Sequence, residues 1–210
     1  MNLKQEEKNI IYRLCRQFIY FALIFAFIFG LHFFASIYNK DTFEENGMVE
    51  NIQLVLLLCS AFSFLWQIEK NKDFKTVLLL LSSCCLLAAC RELDATFDKI
   101  IPVVHWKFAF IFPLIAFAYA YKHYADLRQC LFKFFNMPAF YIMYLTVILI
   151  CPIAQCVGHR PFVKNVLGIS HIGNIKELYE ESLEVIGYFL IFLSSIEMYF
   201  NLKEEHHQEG

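Results

Sequence analysis

The chain has 210 residues, of which 59% are hydrophobic and 24 are phenylalanine. This hydrophobic share exceeds the roughly 45–50% that is typical of soluble domains, which indicates a membrane protein. The counts of 7 Gly and 5 Pro exclude a collagen-like or disordered chain. The formal net charge of −2 gives no basic field for nucleic acid, so no nucleic-acid partner is expected.

Taken in chain order, the apolar runs predict an all-α integral membrane protein, a bundle of about six transmembrane helices that forms a single domain over residues 1–210. The runs are apolar on every side, whereas the strands of a membrane β-barrel alternate in polarity. The lipid bilayer is therefore the first partner that we expect. The six predicted spans are residues 18–38, 52–68, 76–90, 103–121, 138–157 and 182–200.

The last of these spans has two predicted ends. Asn174 is expected to cap a helix that begins at Ile175, about two turns before the lipid-facing part. The tail, residues 203–210, is expected to be frayed.

Basic residues predict the orientation of the bundle. Four Lys or Arg residues precede the first span, and the first loop has only Lys40. Positive charges close to membrane spans are retained on the cytoplasmic side. Both termini are therefore predicted to be cytoplasmic (N-in/C-in), with the first, third and fifth loops on the outer side.

This orientation gathers acidic residues at the outer side of the membrane. The apolar run 52–66 is about 22 Å long as a helix, shorter than the roughly 30 Å of the bilayer core, so its helix is expected to extend outward to Glu50. The run 77–90 is equally short, and its extension takes in Arg91 and Glu92. Charged side chains from two helices are thus expected at membrane depth.

Glu184 lies inside the last apolar run, where a charge is costly unless it has a partner. It shares a helical face with Glu181, and Arg91 shares a face with Asp94 at the end of the third span. Arg91 is the expected partner of these carboxylates. Two interpretations stay open: a buried ion-pair network that only fixes helix packing, or a functional site.

An excess of carboxylate and imidazole groups at one depth favours a divalent metal site for Zn²⁺ or Mn²⁺. No HExxH, HxxxH or CxxC spacing is present, so each ligand would come from a different helix or loop. His105 has an alternative role as an interfacial residue beside Trp106. The expected catalytic residues are Glu50, Arg91, Glu92 and Glu184. The expected metal ligands are Glu50, Glu92, Asp94, His105, His171, Glu181 and Glu184.

Three functions fit this pattern. The first is a metal-dependent hydrolase or transferase that acts on a lipid or lipid-linked substrate, with metal-bound water as the nucleophile. The alternatives are a cation- or proton-coupled transporter or channel component and a non-catalytic assembly protein that binds a membrane-protein partner. A carrier needs polar groups through the inner half of the bundle, where the sequence offers only Gln67 and Glu197.

The cysteines suggest no metal or redox framework, because several lie in apolar helix as small hydrophobic residues. Cys90 and Cys156 are both expected at outer helix ends. There they either form a disulfide or remain free, and the sequence leaves both alternatives open.

Three short acidic segments carry a family resemblance: EENGMVE at residues 44–50, RELD at 91–94 and YEESLE at 179–184. Together they resemble a loosely defined group of uncharacterised bacterial multi-pass membrane proteins. The resemblance implies the bacterial cytoplasmic (inner) membrane as the location, and it implies no activity.

Overall fold

The structure, a computed structural model, describes residues 5–38, 47–94, 106–159 and 172–209. Every regular element within these ranges is a helix, so the predicted all-α class is confirmed. The chain divides into two compact units, Met1–Thr42 and Phe43–Gly210.

The first unit contains one long helix, α1 (Gln5–Tyr38). Its apolar stretch Ile10–Phe34 is long enough to cross a membrane. Aromatic side chains recur along this stretch and are exposed, as expected of a helix whose surroundings are lipid rather than water. They include Phe18, Phe21, Phe25, Phe29 and Phe33.

The second unit is also helical throughout its described residues. Its helices in chain order are α2 (Met48–Lys70), α3 (Lys75–Glu92), α4 (Ile111–Lys122), α5 (Tyr124–Phe135), α6 (Pro138–Ile148), α7 (Gln155–Gly158) and α8 (Ile172–Glu209). Three further helical segments adjoin them: the 3₁₀ turns Lys72–Phe74 and Trp106–Phe110 and the π-helical segment Leu149–Ala154, which joins α6 to α7.

Five stretches within the described residues are long and apolar enough to cross a membrane. They are Ile10–Phe34, Met48–Lys70, Lys72–Glu92, Pro138–Val157 and Leu178–Glu205. The predicted fourth span, residues 103–121, lies only partly within the described residues, where it comprises the turn Trp106–Phe110 and most of α4. The sixth crossing therefore stays a prediction.

The helix ends explain how charged residues enter the spans. α2 begins at Met48 and α3 ends at Glu92, so both helices extend beyond their short apolar runs, as predicted. α8 begins at Ile172, three residues before the predicted start, and it continues to Glu209. The prediction of a frayed tail was wrong, and the ion pair between Lys133 Nζ and Glu205 Oε1, 2.6 Å long, stabilises this last part of the helix.

α3 and α8 both pack against α2, and α6 packs on α8. Small residues let these backbones approach closely, as is usual between membrane helices. The hydroxyl of Ser82 donates a hydrogen bond of 3.1 Å to the carbonyl of Ala61, joining α3 to α2. The hydroxyl of Ser194 donates one of 2.8 Å to the carbonyl of Ala139, joining α8 to α6.

Gly187 marks the closest approach of α8 to the π-helical segment. A methyl group at this position would overlap the side chain of Ile150. The segment contains Pro152, which cannot donate a backbone hydrogen bond and so favours a local change in helical repeat. A larger residue at 187 therefore requires the side chain of Ile150 to shift.

The second unit has two polar ends, which we call the Arg91 end and the Lys72 end. The Arg91 end holds the start of α2, the end of α3 and Glu184 of α8. The Lys72 end holds the turn after α2, the helix α5 and Glu205 of α8. Since 21 residues separate Glu184 from Glu205, the two ends are about 32 Å apart along α8.

Candidate polar site at the Arg91 end

Arg91 joins the last turn of α3 to α8. Its Nη2 atom donates to Glu184 Oε2 and to Glu92 Oε1, each at 2.8 Å, and its Nε atom donates to the same Glu92 oxygen at 3.2 Å. A guanidinium at the C-terminal end of α3 is also favoured by the helix dipole. The side chain of Arg91 is 39% exposed, whereas those of Glu92 and Glu184 are only 7% and 4% exposed. The arginine is therefore the accessible member of a buried ion-pair network.

The hydroxyl of Tyr188 completes this network. It donates to Glu92 Oε1 at 2.7 Å and accepts from Arg91 Nη2 at 3.2 Å. Tyr188 follows Glu184 by one helical turn on α8, which places both side chains on the face toward α3. Hydrogen bonds to charged groups are stronger than neutral ones, so the hydroxyl helps to hold Glu92 and Arg91 together.

Gln53 of α2 holds a further carboxylate of α8. Its Nε2 atom donates to Glu181 Oε2 at 2.8 Å and to the backbone carbonyl of Glu181 at 3.4 Å. Gln53 is fully buried, and its Oε1 atom has no hydrogen-bond partner among the described residues. A buried acceptor without a donor is unfavourable, so this oxygen is available to a donor group or a cation.

We call these six side chains the Arg91 cluster: Gln53, Arg91, Glu92, Glu181, Glu184 and Tyr188. Within it, the charge of Glu181 is opposed by the charges of Glu184 and Glu92, and by Glu50 from the start of α2. The cluster thus contains three carboxylates, those of Glu92, Glu181 and Glu184, and the guanidinium of Arg91 is paired with Glu92 and Glu184. Uncompensated charge is costly at membrane depth, so the cluster favours the uptake of protons or cations.

The structure brings together part of the expected site. Arg91, Glu92 and Glu184 are in direct contact, and Glu181 lies within electrostatic reach of two of these groups. Asp94 makes none of these contacts, and its Oδ1 atom is buried without a hydrogen-bond partner in the described part of the chain.

The expected metal ligation has no support in the described ranges. His105 and His171 lie outside the described residues. Among those described, no three His, Cys, Asp or Glu side chains form a group that could hold a metal ion. The guanidinium of Arg91 lies between Glu92 and Glu184, in the position that a shared cation would take.

Two members of the cluster were missed from the sequence. Tyr188 and Gln53 are neutral, so neither adds a charge that would mark a site within an apolar run. Their spacing is the signal that was available: Tyr188 lies four residues after Glu184, and Gln53 lies three residues after Glu50.

A second buried polar region lies further along α2 and α8. The Nε2 atom of Gln67 donates to the carbonyl of Ser195 at 3.0 Å, and its Oε1 atom has no partner within the described ranges. Asn201 donates to Glu197 Oε1 at 2.9 Å. Glu197 is only 2% exposed, so it is a carboxylate buried well away from the Arg91 end.

An apolar layer separates the two polar regions. It consists of Leu57, Ala89 and the ring of Tyr188, with Ile191 packed against them. Leu57 is fully buried. Buried polar groups of α2 and α8 therefore lie on both sides of a hydrophobic layer.

The sequence left open whether Cys90 and Cys156 form a disulfide. Cys90 and Cys156 are both free thiols. Neither residue forms part of the Arg91 cluster, so the packing at this end depends on noncovalent contacts.

Over the described residues, the fold and the site define an all-helical protein with five candidate membrane-spanning helices and a buried cluster of charged residues at one end of the second unit. Comparisons of this chain with protein-family models, with curated proteins and with solved structures found no match.

Proposed function

We propose that this protein is a carrier or channel component of the membrane that binds a proton or a small cation at the Arg91 cluster. The observation that carries this proposal is the charge imbalance of the cluster, in which the three carboxylates of Glu92, Glu181 and Glu184 lie beside one guanidinium of the described chain. A cation or a proton relieves this repulsion, and the free Oε1 atom of Gln53 is a further ligand for it.

The second polar region supports transport rather than binding alone. Gln67 and Glu197 continue the line of buried polar groups beyond the middle of α2 and α8. The layer around Leu57 interrupts this line, as a hydrophobic constriction does in a closed pathway. The polar groups that a carrier requires in its inner half therefore include Ser195 and Asn201 as well as the two residues identified from the sequence.

The Arg91 end is proposed to face the extracytoplasmic side, with six spans and with both termini in the cytoplasm. The separation of about 32 Å between Glu184 and Glu205 is close to the thickness of a bilayer core, roughly 30 Å. The Lys72 end carries the lysines of the α2–α3 turn and of α5, which favours the cytoplasmic side. A bacterial cytoplasmic membrane is the proposed location.

The test compares the wild type with Glu181→Gln in proteoliposomes. Glutamine keeps the size of the side chain and a hydrogen-bonding group for Gln53, but it removes the negative charge. The wild type is expected to dissipate an imposed proton or monovalent-cation gradient, measured with a fluorescent indicator inside the vesicles. The variant is expected to leak only at the rate of protein-free vesicles.

Glu69→Gln is the matched control, because Glu69 is an exposed acid at the other end of α2. This variant is expected to transport at the wild-type rate. Transport that persists unchanged in Glu181→Gln, or a wild type that dissipates no gradient, would contradict the proposal.

The metal-dependent hydrolase or transferase is a second candidate, favoured by the partly exposed Arg91, which opens the cluster to a lipid substrate at the membrane surface. Elemental analysis of the same preparations separates the two candidates. One Zn²⁺ or Mn²⁺ per chain in the wild type, lost in Glu184→Gln, together with the absence of transport, would favour the enzyme. Absence of both metal and transport would favour the assembly protein with a membrane-protein partner.

A further inference from the structure

A polar cavity of about 290 Å³ lies at the Lys72 end, remote from the Arg91 cluster. Its walls are the 3₁₀ turn between α2 and α3, the last part of α4 and one side of α5. The thiol of Cys130 donates a hydrogen bond of 2.6 Å to the carbonyl of Asp73 and so fixes α5 against the turn. Burial, reinforced by the charges of Asp126 and Asp73, raises the pKa of the Cys130 thiol, so it remains a donor at neutral pH.

The cavity is lined by charges of both signs. Three ammonium groups and two carboxylates contribute to it: Lys72, Lys75, Lys133, Asp73 and Asp126. Lys133 is paired with Glu205 of α8, and Asp126 Oδ2 lies 3.4 Å from Nδ1 of His123.

Two of the lysines are available to a ligand. Lys72 and Lys75 form no ion pair with any residue that the structure describes. Lys75 Nζ lies 4.9 Å from the centre of the Tyr119 ring, which positions this ammonium group at the wall of the cavity. Asp73 is exposed beside them, so the cavity offers both a cationic and an anionic side to a ligand.

Other features place this cavity at the level of lipid head groups. α5 has 12 residues, about 18 Å in length, which is too short to cross the bilayer. Tyr124 and Phe132 on this helix are 63% and 61% exposed, while Arg128 is exposed on the same short helix. A short amphipathic helix of this kind lies in the membrane interface.

An aromatic pair beside a lysine marks the same level on α2 and α8. The rings of Trp66 and Tyr199 are 5.6 Å apart, and Lys70 Nζ lies 3.9 Å from the centre of the Trp66 ring. Tryptophan and tyrosine are enriched where the lipid head groups begin. A ligand in the cavity is therefore a neighbour of the head-group layer.

We propose that this cavity binds the head group of a zwitterionic, amine-bearing phospholipid such as phosphatidylethanolamine. Lys72 and Lys75 hold the phosphate, and the carboxylates of Asp73 and Asp126 accept hydrogen bonds from the ammonium group. A single head group thus satisfies both signs of charge in the lining. This proposal is independent of the function proposed for the Arg91 cluster.

The experiment titrates the purified full-length protein in detergent with dihexanoyl phosphatidylethanolamine and follows lipid adducts by native mass spectrometry. Lys72→Gln combined with Lys75→Gln is expected to weaken binding more than tenfold, because the phosphate loses two charge-assisted hydrogen bonds. Lys122→Gln combined with Arg128→Gln removes the same charge from exposed positions outside the lining and is expected to leave binding unchanged.

A comparison of two lipid head groups tests the role of the carboxylates of Asp73 and Asp126. Phosphatidylglycerol of the same chain length is expected to bind more weakly than phosphatidylethanolamine, and Asp73→Asn combined with Asp126→Asn is expected to abolish this preference. Equal binding of the two lipids by the wild type, equal losses in the two lysine double variants, or displacement of the lipid by equimolar inorganic phosphate would overturn the proposal. Circular dichroism and thermal unfolding without lipid verify that each variant folds.

Discussion

The hydroxyl of Tyr188 contacts both the guanidinium of Arg91 and the carboxylate of Glu92. Glu92 Oε1 accepts from Arg91 Nε, from Arg91 Nη2 and from Tyr188. This buried oxygen of Glu92 therefore accepts three hydrogen bonds, whereas Glu184 Oε2 accepts one from the guanidinium of Arg91. Removing the phenolic oxygen tests this distribution of hydrogen bonds with the smallest change to the side chain.

Tyr188→Phe is expected to lower the free energy of unfolding by about 1–2 kcal/mol, because it removes a buried hydrogen bond to a charged group without leaving a large cavity. The measurement is unfolding by sodium dodecyl sulfate in detergent micelles, followed by circular dichroism. Tyr199→Phe is the control, since the ring of Tyr199 stacks near Trp66 and its hydroxyl takes no part in the cluster. Equal losses in the two variants would contradict a special role of Tyr188.

Some of this site follows from the sequence at the residue scale, and some does not. An acid such as Glu184 in an apolar run needs a partner, and Arg91 was the nearest basic residue at the same depth. The pairing of Glu181 with Gln53 depends on which faces of α2 and α8 meet. Apolar runs that are hydrophobic on every side do not encode this choice.

At the scale of elements, the contact of α8 with the π-helical segment is closely packed. Gly187 faces Ile150 there, and Thr146 of α6 lies beside them. Interior packing leaves no space for one more methyl group where two helices touch directly.

Gly187→Ala is expected to destabilise the protein by about 1–3 kcal/mol through overpacking against Ile150. Ile150→Ala in the same chain is expected to recover part of this loss, so that the double variant costs less than the two single losses together. Gly30→Ala is the control, because no atom lies within 4 Å of the added methyl group. Thermal unfolding in detergent measures the stability of these four variants relative to the wild type. A double variant whose loss equals the sum of the two single losses would contradict the contact between residues 187 and 150.

The bounds of several elements could be predicted from hydropathy and bilayer thickness. The extension of α2 to Met48 and of α3 to Glu92 follows from runs too short to cross a membrane. The end of α8 could not be predicted this way, because its stability at Glu205 comes from Lys133, which lies 72 positions earlier in the chain. The sequence of the tail alone therefore does not show that Lys133 stabilises it.

At the scale of the whole molecule, the opposite chemistry of the two ends is the main organising feature of the second unit. Carboxylates outnumber cations in the Arg91 cluster, while the Lys72 end combines lysines with the aromatic pair of Trp66 and Tyr199. An asymmetry of this kind gives a multi-pass protein one preferred orientation in the membrane.

Cysteine labelling tests this orientation. Met48→Cys at the Arg91 end and Glu69→Cys at the Lys72 end are both exposed positions on α2, and each is introduced after replacement of the eight native cysteines. A membrane-impermeant maleimide applied to intact cells is expected to label residue 48 only. Labelling of residue 69 alone would indicate the opposite orientation. As a control, permeabilised cells should show labelling at both positions.

The ion pairs of α8 have one mechanical consequence. Glu184 is bound by Arg91, and Glu205 is bound by Lys133, so ion pairs attach the 38-residue helix to its neighbours near both polar ends, and hydrogen bonds of Ser194 and Ser195 attach it between them. An axial slide of a single residue, about 1.5 Å, would lengthen both ion pairs at once. Any movement of α8 that accompanies binding at one end is therefore expected to preserve the axial position of this helix.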